Sequence, residues 1–80
     1  MSGLETVSII NRNTPDFTQL EVDCPAGKKV LGGGAEALGN ASILNRTSPN
    51  ASGTGWIAVG HQPGVGNLGL SVWAICAVVS

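Results

Sequence analysis

The side chains in this sequence that are suited to catalysis are few and scattered. His61 is the only histidine, and it precedes a Gln-Pro-Gly turn, where a lone histidine is more often a surface residue than a general base. Glu21 and Asp23 form the one near pair of carboxylates and share a face of a predicted strand. A carboxylate pair without a cleft is typical of a solvated strand edge that discourages aggregation. Neither feature indicates acid–base catalysis.

Motifs for nucleophilic, phosphate or metal chemistry are also missing from the sequence. Serine is abundant, but no Gly-x-Ser-x-Gly elbow occurs. The run Gly32-Gly33-Gly34 lacks the Gly-Lys-Ser/Thr ending of a phosphate loop. Two distant cysteines and one histidine do not supply the four ligands of a structural zinc site. The sequence therefore predicts a protein that is not an enzyme and that holds no metal or cofactor.

Cys24 and Cys76 are the remaining reactive pair, and each falls at or near the end of a predicted strand. A disulfide between them would close a loop long enough to stabilise the fold by about 4 kcal/mol in the chain-entropy model. The alternative is a pair of buried thiols that act as small hydrophobic side chains. Both possibilities remain open at this point.

The spacing of apolar residues and turn formers predicts the elements that carry these side chains. Residues 17–24 and 68–78 alternate with the period of two that is typical of a strand. Turns rich in Pro, Gly and Asn separate the apolar runs, and no window has a convincing helical period. We therefore predict a single all-β domain over residues 1–80, a compact antiparallel sandwich or β-prism-like fold without a substantial helix. The predicted strands are residues 4–10, 17–24, 29–38, 41–47, 56–61 and 68–78.

The last predicted strand is apolar on both of its faces. One face carries leucines, a valine and Cys76, and the other carries Trp73 and Ile75. A strand of this kind is central in a sandwich or buried at a subunit contact. Trp73 is either a core aromatic or an anchor at an interface, where tryptophan is enriched. The candidate interface residues are Trp73, Ile75, Val78 and Val79.

Two segments of the chain, residues 7–16 and 41–50, resemble each other. Each has a β-branched strand, then Asn-Arg, two polar residues, proline and Asp or Asn. The similarity predicts two equivalent strand-plus-turn units, with Arg12 and Arg46 at the same end of the domain; coincidence is the alternative. These arginines and Trp56 are candidate ligand or surface residues, and Trp56 is predicted to be a core or strand-start anchor.

Gly27, Gly32, Gly33 and Gly34 are predicted to be structural glycines. Three consecutive glycines within an apolar β pattern cost backbone entropy, so the fold must need them. A close approach of backbone, a bulge or a sharp bend would each require such a run. The glycines therefore indicate architecture rather than chemistry.

A larger pattern connects these features. It consists of Cys-Pro-x-Gly-Lys-x-Val-x-Gly-Gly-Gly from Cys24, then Ser48-Pro49, Gly-Thr-Gly-Trp ending at Trp56, and Ala-x-Cys-Ala around Cys76. The pattern resembles a small β domain of secreted bacterial proteins and phage virion proteins, which often ends a fibre-like or collagen-like chain. The resemblance implies a fold and a setting rather than a reaction, and it covers roughly residues 24 to 77.

The composition indicates a protein that buries surface against neighbours. The 80 residues are 42% hydrophobic but only 11% charged, about half the usual charged fraction. The formal net charge is −1, which provides no electrostatic footprint for nucleic acid or an anionic membrane surface. No run approaches the ~18 apolar residues of a membrane span, and no signal peptide is recognisable.

The resemblance and the composition together lead to one functional expectation and one alternative. We expect a structural protein of a phage particle, a capsid decoration protein or the head of a tail fibre, made in the bacterial host cytoplasm. Its expected partners are copies of itself, as a homotrimer, and a larger capsid or tail subunit. The alternative is an extracellular glycan-binding module, which would share the β fold and the polar loops.

Overall fold

The computed structural model describes residues 2–39 and 41–78, and its regular secondary structure is entirely β. The prediction of an all-β fold of about six strands is confirmed. No helix in the described residues is long and apolar enough to cross a membrane. The strands are β1 (Ser2–Pro15), β2 (Leu20–Asp23), β3 (Lys29–Leu38), β4 (Ile43–Pro49), β5 (Gly55–His61) and β6 (Asn67–Val78).

The strands form two three-stranded antiparallel sheets, which pack against each other. The first sheet has the order β1-β6-β3, and the second has the order β2-β5-β4. Strands β6 and β5 are therefore central, and they form the most extensive of several contacts between the two sheets. Neighbouring strands cover both edges of β5 and β6, but a sandwich of two sheets covers only one face of each strand. The central position of β6 therefore accounts for its inner apolar residues and not for its outer ones.

The core lies between the sheets and is built mainly by one face of β6. Successive side chains of a strand point to opposite faces, so alternate residues of β6 meet the second sheet. Val22 and Ala58 approach the same core from the second sheet. The β6 residues in this core are Leu68, Leu70, Val72, Ala74 and Cys76.

Strand β1 continues through a segment that the sequence predicts to be a turn. It was expected to end at Ile10, but it pairs with β6 as far as Pro15. The turn formers produce a bulge instead, because the register shifts between Asn11 and Thr14. Asn11 Oδ1 accepts a hydrogen bond from the Asn13 amide at 3.0 Å, and the buried Thr14 hydroxyl donates to the Asn11 carbonyl at 3.0 Å. Local side-chain bonding of this kind is compatible with a bulge as well as with a turn.

The two similar segments occupy related positions but run in opposite directions. They form most of β1 and β4, which are edge strands of different sheets, and each contains a register shift beside its Asn-Arg pair. The turn after β1 hydrogen-bonds to Gly60, whereas Asn50 after β4 bonds to Gly55, at the other end of β5. Arg46 opposes Val59, and the Arg12 Cα lies beside Gly69.

Candidate assembly surface

One end of the sandwich is held by a disulfide, and we call it the disulfide end. Cys24 and Cys76 are bonded, with their Cα atoms 5.8 Å apart and 52 positions apart in the sequence. Of the two possibilities that the sequence leaves open, the structure contains the cross-link. Because Cys24 follows β2 and Cys76 belongs to β6, the bond joins the two sheets covalently. A sandwich with so small a core gains stability from such a link.

The segments of the larger sequence pattern meet at the disulfide end. The Cys24 amide donates to the Thr54 carbonyl at 2.7 Å, and the Val30 amide donates to the Gly53 carbonyl at 2.9 Å. The turn between these contacts includes Gly27, whose φ of 86° lies in the left-handed region that favours glycine. Lys28, which follows it, forms an ion pair with Glu5 of β1. The turn thus connects both sheets beside the disulfide.

The three consecutive glycines have three different environments. A bulge precedes Gly32, where an added Cβ would meet nothing within 4 Å. A Cβ on Gly33 would lie 2.6 Å from Trp56 Cδ2 and 2.5 Å from the Trp73 carbonyl oxygen. A Cβ on Gly34 would lie 2.6 Å from Trp73 Cζ2. The run therefore lets two indole rings approach the backbone of β3, one on each face of the first sheet.

Trp56 is the indole between the sheets. It lies next to the residues of the core and is half-buried. Its Nε1–H donates a hydrogen bond of 2.7 Å to the Thr47 hydroxyl on the neighbouring strand β4. A tryptophan in such a position usually has its polar atom paired. The structure thus places Trp56 in packing, with its ring against Gly33, rather than on an open surface.

Trp73 lies on the opposite side of the first sheet, which we call the outer face. Register assigns the residues of this face, because side chains paired across an antiparallel ladder point to the same side. Ile75 and Ile10 are 37% and 48% exposed there, and Trp73 is half-buried over Gly34. The central part of the outer face is formed by Thr6, Ser8, Ile10, Gly32, Gly34, Ser71, Trp73 and Ile75.

None of these central outer-face residues is charged. Glu36 and Lys29 of β3 lie at the two margins, opposite Ser71 and Ala77. Of the predicted interface residues, Trp73 and Ile75 lie together on this face, and Val78 is exposed at the end of β6. Val79 lies outside the described residues.

The other end of the sandwich carries an exposed aromatic pair, and we call it the aromatic end. The rings of Phe17 and His61 stack with centroids 4.7 Å apart and an interplanar angle of 18°. Phe17 is 64% exposed and has a φ of 60°, which is uncommon for a residue with a side chain. Its amide donates to the Gly60 carbonyl at 2.8 Å, and His61 Nδ1 lies 2.6 Å from Asn45 Oδ1.

The sequence does not reveal the aromatic end. The sequence predicts Phe17 to be the first residue of a strand, but β2 begins at Leu20 and Phe17 belongs to the preceding turn. His61 is predicted only as a surface residue. No local pattern signals the pair, because its two members are far apart in the chain, one in the turn before β2 and the other at the end of β5.

The acidic pair forms a small cluster on the edge strand β2. Glu21 Oε2 accepts a hydrogen bond of 3.0 Å from Asn50 Nδ2. Hydrogen bonding to Asp23 and then to Asn50 lowers the pKa of Glu21, whereas hydrogen bonding to Glu21 and partial burial raise the pKa of Asp23. Both side chains are exposed, and the described residues contain no pocket and no cluster of three metal-ligating side chains.

The two arginines are exposed on edge strands. Arg46 Nε donates to the Ser48 hydroxyl at 2.8 Å, a local bond along β4. Arg12 lies beside the bulge of β1. Arg46 opposes Val59 in the second sheet and Arg12 lies beside Gly69 in the first, so the structure does not join them to Trp56 in one site.

Comparison with known proteins adds no further constraint. No protein-family model matches this chain, and no curated protein or solved structure matches it.

Proposed function

We propose that this protein is a non-enzymatic structural module that assembles with copies of itself and with a larger subunit of a phage particle, as a capsid decoration protein or a fibre head. The observation that carries the proposal is the outer face around Trp73 and Ile75. It carries no charge at its centre, it sets Trp73 and Ile75 among glycine and hydroxyl residues, and it is partly open to solvent. A contiguous patch of this kind is typical of an interaction surface.

The composition of β6 supports this proposal. An antiparallel sheet with one solvated face usually alternates apolar residues inside with polar residues outside. In β6 the outer positions are Gly69, Ser71, Trp73, Ile75 and Ala77, so only one of them is polar, although Ala77 is itself buried. A tryptophan beside an exposed isoleucine resembles the apolar centre of a protein interface.

The disulfide supports the proposal in a second way. The cross-link and the core lie on the inner side of the first sheet, so neither of them uses the outer side chains Trp73 and Ile75. The outer side chains can therefore serve an intermolecular contact. The resemblance to virion and fibre-associated domains supplies the proposed setting, a phage particle.

A charge on the outer face tests this proposal. We expect Ile75→Lys to lower the mass of the assembled wild type, since an ammonium group would be desolvated in a contact through the outer face. Ile43→Lys is the matched control, because Ile43 is 46% exposed on β4 of the second sheet. The measurements are mass by light scattering and the midpoint of thermal unfolding. A wild type that is a single chain at micromolar concentration contradicts the proposal, and unfolding of Ile75→Lys would assign Ile75 to the core instead.

Glycan binding is the second candidate, and the aromatic end favours it. An exposed aromatic ring with amide groups nearby can stack on the apolar face of a sugar while the amides bind its hydroxyls. Phe17 and Asn45 offer this combination around His61. A glycan array with the wild type and Phe17→Ala tests it. Binding that depends on Phe17 supports the candidate, and no binding by the wild type contradicts it.

A further inference from the structure

The outer edge of β1 is the longest open strand edge of the sandwich. Within the described residues β1 forms a ladder only with β6. Outside that ladder, the first backbone amide that donates to a backbone carbonyl is that of Asp16. An edge strand of this kind presents a row of unpaired amide and carbonyl groups that can bind another strand. The stretch from Glu5 to Asn11 has no register shift, so it is a regular template.

The other three edges are less suited to strand pairing. Strand β2 has only four residues, and β4 has a register shift at Asn45 and ends in Pro49. Strand β3 begins with a bulge and continues into glycines that are half-buried. Short strands, prolines and bulges are the usual protections of an edge. The regular part of β1 has none of them.

The sequence of this stretch is complementary to itself. We propose that the β1 strands of two copies of this chain pair antiparallel around a two-fold axis at Ser8. In that register Thr6 of one copy opposes Ile10 of the other, Val7 opposes Ile9, and Glu5 opposes Asn11. Cross-strand pairs of β-branched residues stabilise a sheet, and no like charges face each other.

The pairing covers apolar surface that a single copy exposes. Ile9 and Ile10 are 42% and 48% exposed, and both lie in the paired stretch. A two-fold axis perpendicular to the sheet keeps the outer faces on the same side, and it produces one six-stranded sheet of two copies. The Trp73 patches of both copies then belong to one larger face. The inference rests on the proposed self-assembly and names the contact that begins it.

Cross-linking at Ser8 tests the register. Both native cysteines are already bonded, so a third cysteine adds the only free thiol. Under mild oxidation Ser8→Cys opposes itself, and we expect ~10-fold more cross-linked dimer than from Thr6→Cys, which opposes Ile10 instead. Thr6 is the matched control, because it lies on the same strand, on the same face and exposed to solvent. Peptide mass analysis identifies the cysteines that are joined.

A second variant and the wild-type mass separate the two proposals. Ile9→Lys places an ammonium group in the paired stretch but on the side of the sheet opposite to the outer face, because Ile9 opposes Val72 and is 42% exposed. We expect it to halve the mass of the assembled species at an unchanged unfolding midpoint. If the wild type assembles but Ser8→Cys and Thr6→Cys cross-link equally, the edge pairing is wrong and self-assembly is retained. If the wild type is a single chain and the two variants cross-link equally, both proposals are wrong. An assembly of three copies with equal cross-linking also excludes the two-fold contact.

Discussion

The two faces of β6 have nearly the same apolar character in sequence but opposite environments in the structure. On the inner face Leu70, Val72 and Ala74 are fully buried beneath the second sheet. On the outer face Ile75 is 37% exposed and Trp73 is half-buried, with no element of the described chain above them. The comparison shows that the pattern of apolar residues identifies a face that avoids water. The pattern does not show whether the same chain or another molecule buries that face.

The triple glycine repeats this contrast at the level of single residues. Gly33 is packed between the Trp73 backbone and the Trp56 ring, both of which are held by neighbouring strands. The three atoms nearest to a Cβ on Gly34 all belong to the Trp73 ring, which lies on the outer face. The same residue type therefore serves the core at one position and the outer face at the next. Substitutions that add a single methyl group can measure the difference.

Removing the disulfide is expected to have the largest effect on the inner side. The variant Cys24→Ser/Cys76→Ser loses the link across 52 positions, which corresponds to about 4 kcal/mol of unfolding free energy in the chain-entropy model. Urea unfolding of the variant and of the wild type, with and without reductant, measures this loss. Reductant should change the wild type and leave the variant unaffected. Equal stability of the two oxidised proteins would show that the core alone maintains the fold.

Gly33→Ala is expected to have the next largest effect. The added methyl group overlaps backbone and a constrained indole, and overpacking of this kind costs about 3 kcal/mol. Gly32→Ala is the matched control, because its Cβ meets open space and alanine loses less entropy than glycine. Chemical unfolding of both variants gives the difference. Similar stabilities for the two variants would contradict close packing on the inner face.

Gly34→Ala is expected to have a smaller effect on stability and a clear effect on the outer face. Lifting the Trp73 ring from the sheet loses part of its packing, about 1 kcal/mol. In the monomer, iodide should quench the tryptophan fluorescence of the variant more strongly than that of the wild type, since Trp73 becomes more exposed. A loss of stability as large as that of Gly33→Ala would mean that Trp73 is a core residue after all.

Changing the acidic pair Glu21 and Asp23 is expected to have the smallest effect on stability. The pair lies on β2, away from both faces of β6. Glu21 has a lowered pKa, so its stabilising contribution is present above its ordinary value of 4.5 and is lost as pH falls through the folded value. Asp23 has a raised pKa, so its contribution is present below its ordinary value of 3.8 and is lost as pH rises through the folded value. The two contributions oppose each other in the wild type.

Asp23→Asn separates the two contributions. It removes the Asp23 titration and retains a hydrogen-bonding partner for Glu21, so the variant should lose stability on acidification more steeply than the wild type. Unfolding midpoints measured between about pH 3 and pH 6 test this sign. Parallel profiles for the two proteins would contradict the coupling of the pair.

Several features of the fold follow from local sequence alone. The alternation in residues 68–78 predicted β6, and the triple glycine predicted a bulge or a close backbone approach; the structure has both. The extent of β1 could not be predicted, because turn formers at Asn11 to Pro15 adopt a bulge only when β6 is available to pair with them. The Phe17–His61 pair was unpredictable for the same reason, since it depends on contact between a turn and the end of a distant strand.

The sequence by itself determined that the chain forms strands, where most of them lie and that β6 is apolar on both sides, because a period of two is a local property of the backbone. Only the tertiary structure decided that β6 is central, that Leu70 and Val72 face the core, and that Trp73 and Ile75 face outward. The physical reason is that sheet order depends on pairing between distant segments. Which apolar face is buried depends on the side of the first sheet against which the second sheet packs.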